Sequence, residues 1–282
     1  MILSIRHETT YRYTEPVGYS IQHLRLTPRA EPHQHVLHWN IDVAAAKQPL
    51  VDAYGNASHI VTYTQPHTEI RIIVAGKVDI SAPENGRIID DGALSPLVFT
   101  VPTHLTQPDE AILALSARTL TASPRGSDLI SLAETINNSI TYETGATAVT
   151  STAAEALQLG RGVCQDHAHL FIACCHAAGV PARYVSGYID TGMTNRAESH
   201  AWVDVWLEEN GEAGWISIDV THAAYQDDHL CRLAVGRDYE SAAPVRGVRL
   251  SGGEESMTVD VRVASSLHLY SQAQSQAYGH SQ

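Results

Sequence analysis

Alternation of apolar and polar residues dominates the first eighty positions. Residues 2–13 (ILSIRHETTYRY), 23–27, 38–43, 59–64 and 69–79 each read as alternating or β-branched runs. Turn clusters such as Tyr54-Gly55-Asn56 and Gln65-Pro66-His67 separate them. No helical period interrupts these runs, so an antiparallel β-sandwich or barrel is expected over residues 1–85. Pro83, Gly86, Gly92, Pro96 and Pro102 then suit a linker, placed at residues 86–106.

The period changes after the linker. Residues 109–118 and 127–140 predict helices, the second with Ser127 as N-cap and Leu129, Ile130, Leu132, Ala133 and Ile136 as its apolar stripe. A shorter helix is predicted over 152–159. Gly160 and Gly162 break the chain just before Val163, His167, Leu170, Phe171, Cys174 and Ala178, whose spacing predicts a buried helix. Gly179-Val180-Pro181 stops that helix, and residues 182–189 return as a strand. A polar, turn-prone stretch at 190–198 is expected to form a loop beside the following segment. Strands are expected at 199–207, 215–219, 247–250 and 257–263, and a Ser/Gln-rich tail at 264–282. The whole reads as an α+β protein: a β-rich domain, then a second domain over 107–263 with a cysteine-bearing helix packed on an antiparallel sheet.

The candidate chemistry sits in that second domain. Cys164 falls in the first turn of the buried helix, where unpaired N–H groups and the helix dipole favour a thiolate, so it is the candidate nucleophile. A thiol nucleophile needs a base, and the base needs an orienting group. In SHAWVDVWLEENGEAGWISID, His200, Trp202, Asp204 and Trp206 alternate with Ala201, Val203, Val205 and Leu207, and Asn210-Gly211 marks a turn. A two-residue turn places Asp219 opposite Trp202, diagonal to His200; a four-residue loop places it opposite His200 itself. Either register puts the imidazole and the carboxylate on one face, with side-chain roots about 5–8 Å apart. A zinc site drawn from Cys164, His167, His169 and Cys174 competes poorly, because helical positions 167 and 169 point about 200° apart. Asp166 suits a first-turn cap.

The order Cys164, His200, Asp219, with GVCQD before the helix, GVPARYVSGY after it, SHAW at the histidine and WISID at the acid, resembles the bacterial transglutaminase-like superfamily of papain-related cysteine enzymes. The motifs span residues 150–221. The β-rich start and GRDYESAAPVRGV resemble the family's flanking segments. The resemblance implies a Cys164–His200–Asp219 triad that attacks peptide amides through a thioester, resolved by water (peptidase or amidase) or by an amine (transglutaminase). A catalytically inactive peptide-binding module would use the same cleft. Where the family usually has Pro-Thr-Asn after the acid, this chain has Val220-Thr221-His222. The Cys164 N–H is the natural first oxyanion donor; Trp202, Tyr188 and Gln165 are candidates for the second.

Composition narrows the partners. At 282 residues, with 44% hydrophobic and 17% charged residues, the chain can bury two cores. Its net charge of −13 argues against nucleic acid and anionic membranes, leaving a peptide or protein substrate and a homo-oligomer as the conceivable partners. Arg6, His7 and Glu8 stand where a signal peptide needs an apolar core, and no run approaches the roughly 20 apolar residues of a membrane span, so a cytoplasmic location is expected. No calcium loop of alternating acids is present, so neither metal nor other cofactor is expected. Cys174, Cys175 and Cys231 read as small buried hydrophobes. His23, His33, His35, His38, His59 and His67 lack metal-ligand spacing and read as surface or turn residues.

Overall fold

The structure, a computed structural model, describes residues 1–89, 92, 94–192, 198–209 and 211–265. Most of the loop expected at 190–198 and nearly all of the tail expected at 264–282 lie outside the described residues.

Five strands open the chain: β1 (Ile2–Leu24), β2 (Gln34–Val43), β3 (Lys47–Val51), β4 (Ala57–Tyr63) and β5 (His67–Ile80). Their sheet runs in the order β2-β5-β1-β4-β3. Strand β1 continues through residues 14–22, beyond the expected run. Its first half pairs with β5, its second half with β4, and the β5 register shifts between Arg12 and Val17, around Pro16. A proline cannot donate to a ladder, which is why the shift falls there. Alternation buries Leu3, Ile5 and His7 on one face of β1. His33, expected at the surface, is buried and bonds Gln226 across the molecule at 3.1 Å.

The segment expected as a free linker is anchored. Its short strand β6 (Arg87–Ile88) pairs with the second sheet, and Phe99 packs edge-on against Trp215. Next come α1 (Glu110–Thr119), α2 (Gly126–Ser139), β7 (Thr141–Tyr142), α3 (Ala153–Leu159), β8 (Arg161–Gly162) and α4 (Cys164–Ala177). Helix α2 starts one residue before the expected cap: Arg125 is the N-cap, and its N–H donates to the Asp128 carboxylate at 2.8 Å. The second sheet then forms from β9 (Ala182–Ile189), β10 (Glu198–Glu209), β11 (Glu212–Asp219), β12 (Ala224–Tyr225) and β13 (Leu230–Gly236), ordered β12-β11-β10-β9-β13. The short helix α5 (Tyr239–Ala242) leads to β14 (Val245–Ser251) and β15 (Glu255–Ser265).

Those last two strands correct the expected boundary at residue 263. They belong to the first sheet, pairing along β1 from Leu24 back to Leu3. Periodicity tells which face of a strand is buried and is silent on which sheet it joins.

Helix α4 is buried from Gln165 to His176, and its Leu170 and Phe171 pack with Ala201, Val203, Val205 and Leu207 of β10. Each such side chain contributes about 1.5–3 kcal/mol when fully buried. All eight residues of β9 are buried because the sheet is covered on both faces: α4 lies on one, and Tyr188, Cys231 and Leu233 enter the core of the first sheet on the other. Beneath this junction Asp204 is fully buried between Arg183 (2.8 Å) and Arg232 (2.6 Å), and Arg232 also reaches Glu31 at 2.9 Å. The ionic array ties the loop after β1 to β10 and β13.

Candidate active site

Two glycines set the start of α4. Gly160 closes α3 in the left-handed conformation (φ 65°), which costs glycine little. At Gly162 a side chain has no room, since a Cβ would stand 2.6 Å from the Asp166 carboxylate. That carboxylate accepts the Val163 N–H and the Thr147 hydroxyl, each at 2.7 Å, so Asp166 is the cap its position suggested. Cys164 is therefore the first residue of the helix, and its N–H has no acceptor four residues earlier within α4. The side chain is partly exposed at the floor of a cleft of about 420 Å³.

The hairpin delivers the other two residues. Glu209 pairs with Glu212 and Val203 with Ile218, the two-residue-turn register, which leaves Asp219 diagonal to His200. The His200 Nε2 meets Asp219 Oδ2 at 2.9 Å, and His200 and Cys164 line the same cleft. With Nε2 taken by the carboxylate, Nδ1 is the ring nitrogen left for a second partner. Burial disfavours charge on His200, but the hydrogen bond to Asp219 and the charges of Asp219 and Cys164 outweigh it, raising the imidazole well above its ordinary value. Burial likewise opposes the Asp219 charge, and the hydrogen bonds from His200 and His222 more than reverse it, holding the carboxyl well below its usual range. The structure thus joins His200 to Asp219 and places His200 and Cys164 along one cleft.

His222 is the addition that sequence reasoning did not assign. Its Nδ1 meets the same Asp219 Oδ2 at 2.8 Å, and its N–H donates to Oδ1 at 3.3 Å. That hydrogen bond to Asp219 raises the His222 imidazole. The only signal in the sequence was the departure at Val220-Thr221-His222. Those residues also anchor the chain after the acid: Asn137 donates to the Thr221 carbonyl (3.1 Å), and His167 Nδ1 meets the Thr221 hydroxyl (3.2 Å).

The zinc grouping is dispersed. His167 faces Thr221 and the Ile140 carbonyl, whereas His169 accepts the Tyr239 N–H at 3.1 Å. A different trio, His200, Asp219 and His222, offers three ligand atoms within 4.8 Å of one another. In the structure both imidazoles hydrogen-bond the Asp219 carboxylate. Cys174, Cys175 and Cys231 are fully buried, and burial pushes their thiols up, Cys174 to about 12, so they stay protonated and inert. Of the candidate second oxyanion donors, Trp202 is spent on Gln226 and Tyr188 on His7. Gln165 lines the cleft beside Cys164, with its amide donating to the Val149 carbonyl at 3.1 Å.

Comparison with known proteins agrees with this architecture. Residues 3–79 match the bacterial transglutaminase-like N-terminal region, and residues 114–220 match the transglutaminase-like superfamily. An uncharacterised protein of Mycobacterium tuberculosis is 33% identical across 92% of this chain and 90% of its own length, and one of Mycobacterium leprae is 28% identical across 93% and 98%. The chain belongs to the transglutaminase-like superfamily. A solved structure from Cytophaga hutchinsonii, named as a candidate cysteine protease, shares the fold with a TM-score of 0.75 at 23% identity, over 94% of this chain and 91% of that one. A protein-glutamine gamma-glutamyltransferase of Pseudomonas aeruginosa is 32% identical over 104 residues, which is 32% of this chain and 15% of that protein.

Proposed function

We propose that this protein is a cysteine-dependent acyl-transfer enzyme acting on peptide amides, with Cys164 as nucleophile, His200 as acid and base, Asp219 as orienter and water as the usual acceptor. The observation that carries the reading is an imidazole hydrogen-bonded to a buried carboxylate and lining the same cleft as a sulfur at a helix start. A raised His200 favours an imidazolium, the form that results when its ring takes the Cys164 thiol proton. The thiolate attacks the amide carbonyl, and the oxyanion that forms is met by the Cys164 N–H and by the Gln165 side-chain N–H that the Val149 carbonyl does not take. Collapse breaks the C–N bond as His200 gives its proton to the leaving nitrogen, producing a thioester and a free amine or ammonia. His200 then takes a proton from water, hydroxide adds to the thioester, and the carboxylate leaves as the thiolate is restored.

Hydrolysis is favoured because Cys164 is partly exposed in an open cleft, so water reaches the thioester without competition from a bound amine. The 104-residue similarity to the Pseudomonas aeruginosa gamma-glutamyltransferase supports a second reading, transfer to a lysine-like amine.

A glutamine-containing peptide library, incubated with and without added amine and followed by mass spectrometry, tests both. Cleavage or ammonia release without amine incorporation, abolished in Cys164→Ala, is the expected result. Products that persist in Cys164→Ala would end the covalent reading. Amine incorporation would replace hydrolysis by transfer.

A further inference from the structure

The first sheet, to which sequence alone assigned no chemistry, forms one wall of the cleft. His7, Thr9 and Tyr11 of β1 and their direct partners Val261, Val259 and Met257 of β15 all face it. Tyr142 of β7 and Val149 in the loop before α3 line the same cleft. Four of these apolar side chains are unusually open to solvent for a folded protein: Tyr142 is 44% exposed, Val149 56%, Met257 56% and Val259 48%. Exposed apolar surface clustered around a nucleophile marks a binding surface rather than random exposure.

Apart from the proposed Cys164–His200 pair, charge is absent from the same walls. Among the described residues lining the cleft there is no Asp, Glu, Lys or Arg, although the chain holds 31 acidic and 18 basic residues. An ionised substrate side chain entering here would lose water and gain no counter-ion, which is costly. We infer that the cleft selects peptides whose residue beside the scissile amide is uncharged and apolar, held against Met257, Val259, Tyr142 and Val149. The inference rests on the thiol chemistry proposed above for Cys164. It makes the C-terminal strand β15, far from Cys164 in sequence, a determinant of specificity.

Labelling of Cys164 tests it without turnover. Acetylated peptidyl vinyl sulfones that differ only in the side chain next to the reactive group, leucine, aspartate or lysine, are compared by intact mass, each rate normalised to iodoacetamide labelling of the same protein. The leucine probe is expected to react at least about tenfold faster than the charged ones, the factor that about 1.4 kcal/mol of apolar burial supplies. Val259→Asp and, as a milder change at the same wall, Met257→Gln should shrink that advantage while the melting temperature holds. Equal rates for the three probes, or an advantage unchanged in both variants, would overturn the inference. Should Cys164 resist iodoacetamide altogether, the proposed function fails instead. Binding of acetyl-leucyl against acetyl-aspartyl peptide amides to the Cys164→Ala protein, followed by NMR, then decides the apolar preference by itself, equal affinities again counting against it.

Discussion

Asp204 and Asp219 are carboxylates on neighbouring strands of one sheet, both buried and both held well below the usual carboxylate range. Burial opposes ionisation at each, and at each the surrounding cations win. What differs is the cation. Asp204 is clasped by two guanidiniums, which keep their charge at any accessible pH and so can only hold the fold together. Asp219 is met by two imidazoles, which can take up and give back a proton, and one of them lines the cleft that holds Cys164. Equal burial with a titratable partner turns a structural ion pair into a candidate catalytic one.

The sharpest break in that comparison is to neutralise each acid in turn. Asp219→Asn should leave the fold intact and lower kcat by about 10⁴-fold, since the amide holds the imidazole in the wrong tautomer. Steady-state kinetics with a cleaved peptide would read it. Asp204→Asn should do the reverse, costing about 3–5 kcal/mol of stability by removing the one buried charge that Arg183 and Arg232 share, seen as a lowered urea midpoint.

Imidazoles buried without a carboxylate sharpen the contrast. His7 is bonded to Tyr188 and Thr9, His169 accepts the Tyr239 N–H, and burial lowers both to about 4 from 6.5. Their pKa values are lower folded than unfolded, so the stability they permit is complete above pH 6.5 and lost as pH falls towards 4. Each should cost on the order of 3 kcal/mol at the acid end, and replacing His169 by glutamine should flatten that part of the melting-temperature profile. The smallest effect concerns His222. Removing its hydrogen bond in His222→Leu should lower kcat about tenfold with KM little changed, while His222→Asn, which keeps a donor at the same reach, should restore most of the loss.

Much of the site was legible because its determinants are local. Gly160 and Gly162 mark the helix start, alternation places His200 and Asp219 on one face, and Asn210-Gly211 names a two-residue turn consistent with the observed register. The wall opposite Cys164 was not legible. Met257 and Val259 read as ordinary strand residues, and nothing local tells that β15 returns more than 240 residues along the chain to pair with β1. Nor did Pro16 reveal that β1 runs on past it, because a proline at a register shift and a proline ending a strand look alike in sequence. His222 was visible only as a departure from a familiar pattern; its bond to Asp219 needs the turn after β11 to be known.

The account turns on whether the Cys164 sulfur and the His200 ring act as one unit. Iodoacetamide labelling of Cys164, followed by intact mass at mildly acidic pH in wild type and His200→Ala, reads that directly. Labelling in the wild type is expected to be faster than in His200→Ala at that pH, because only the wild type keeps a base beside the sulfur. Wild-type labelling that rises only in the ordinary thiol range, with His200→Ala indistinguishable from it, would contradict the pairing.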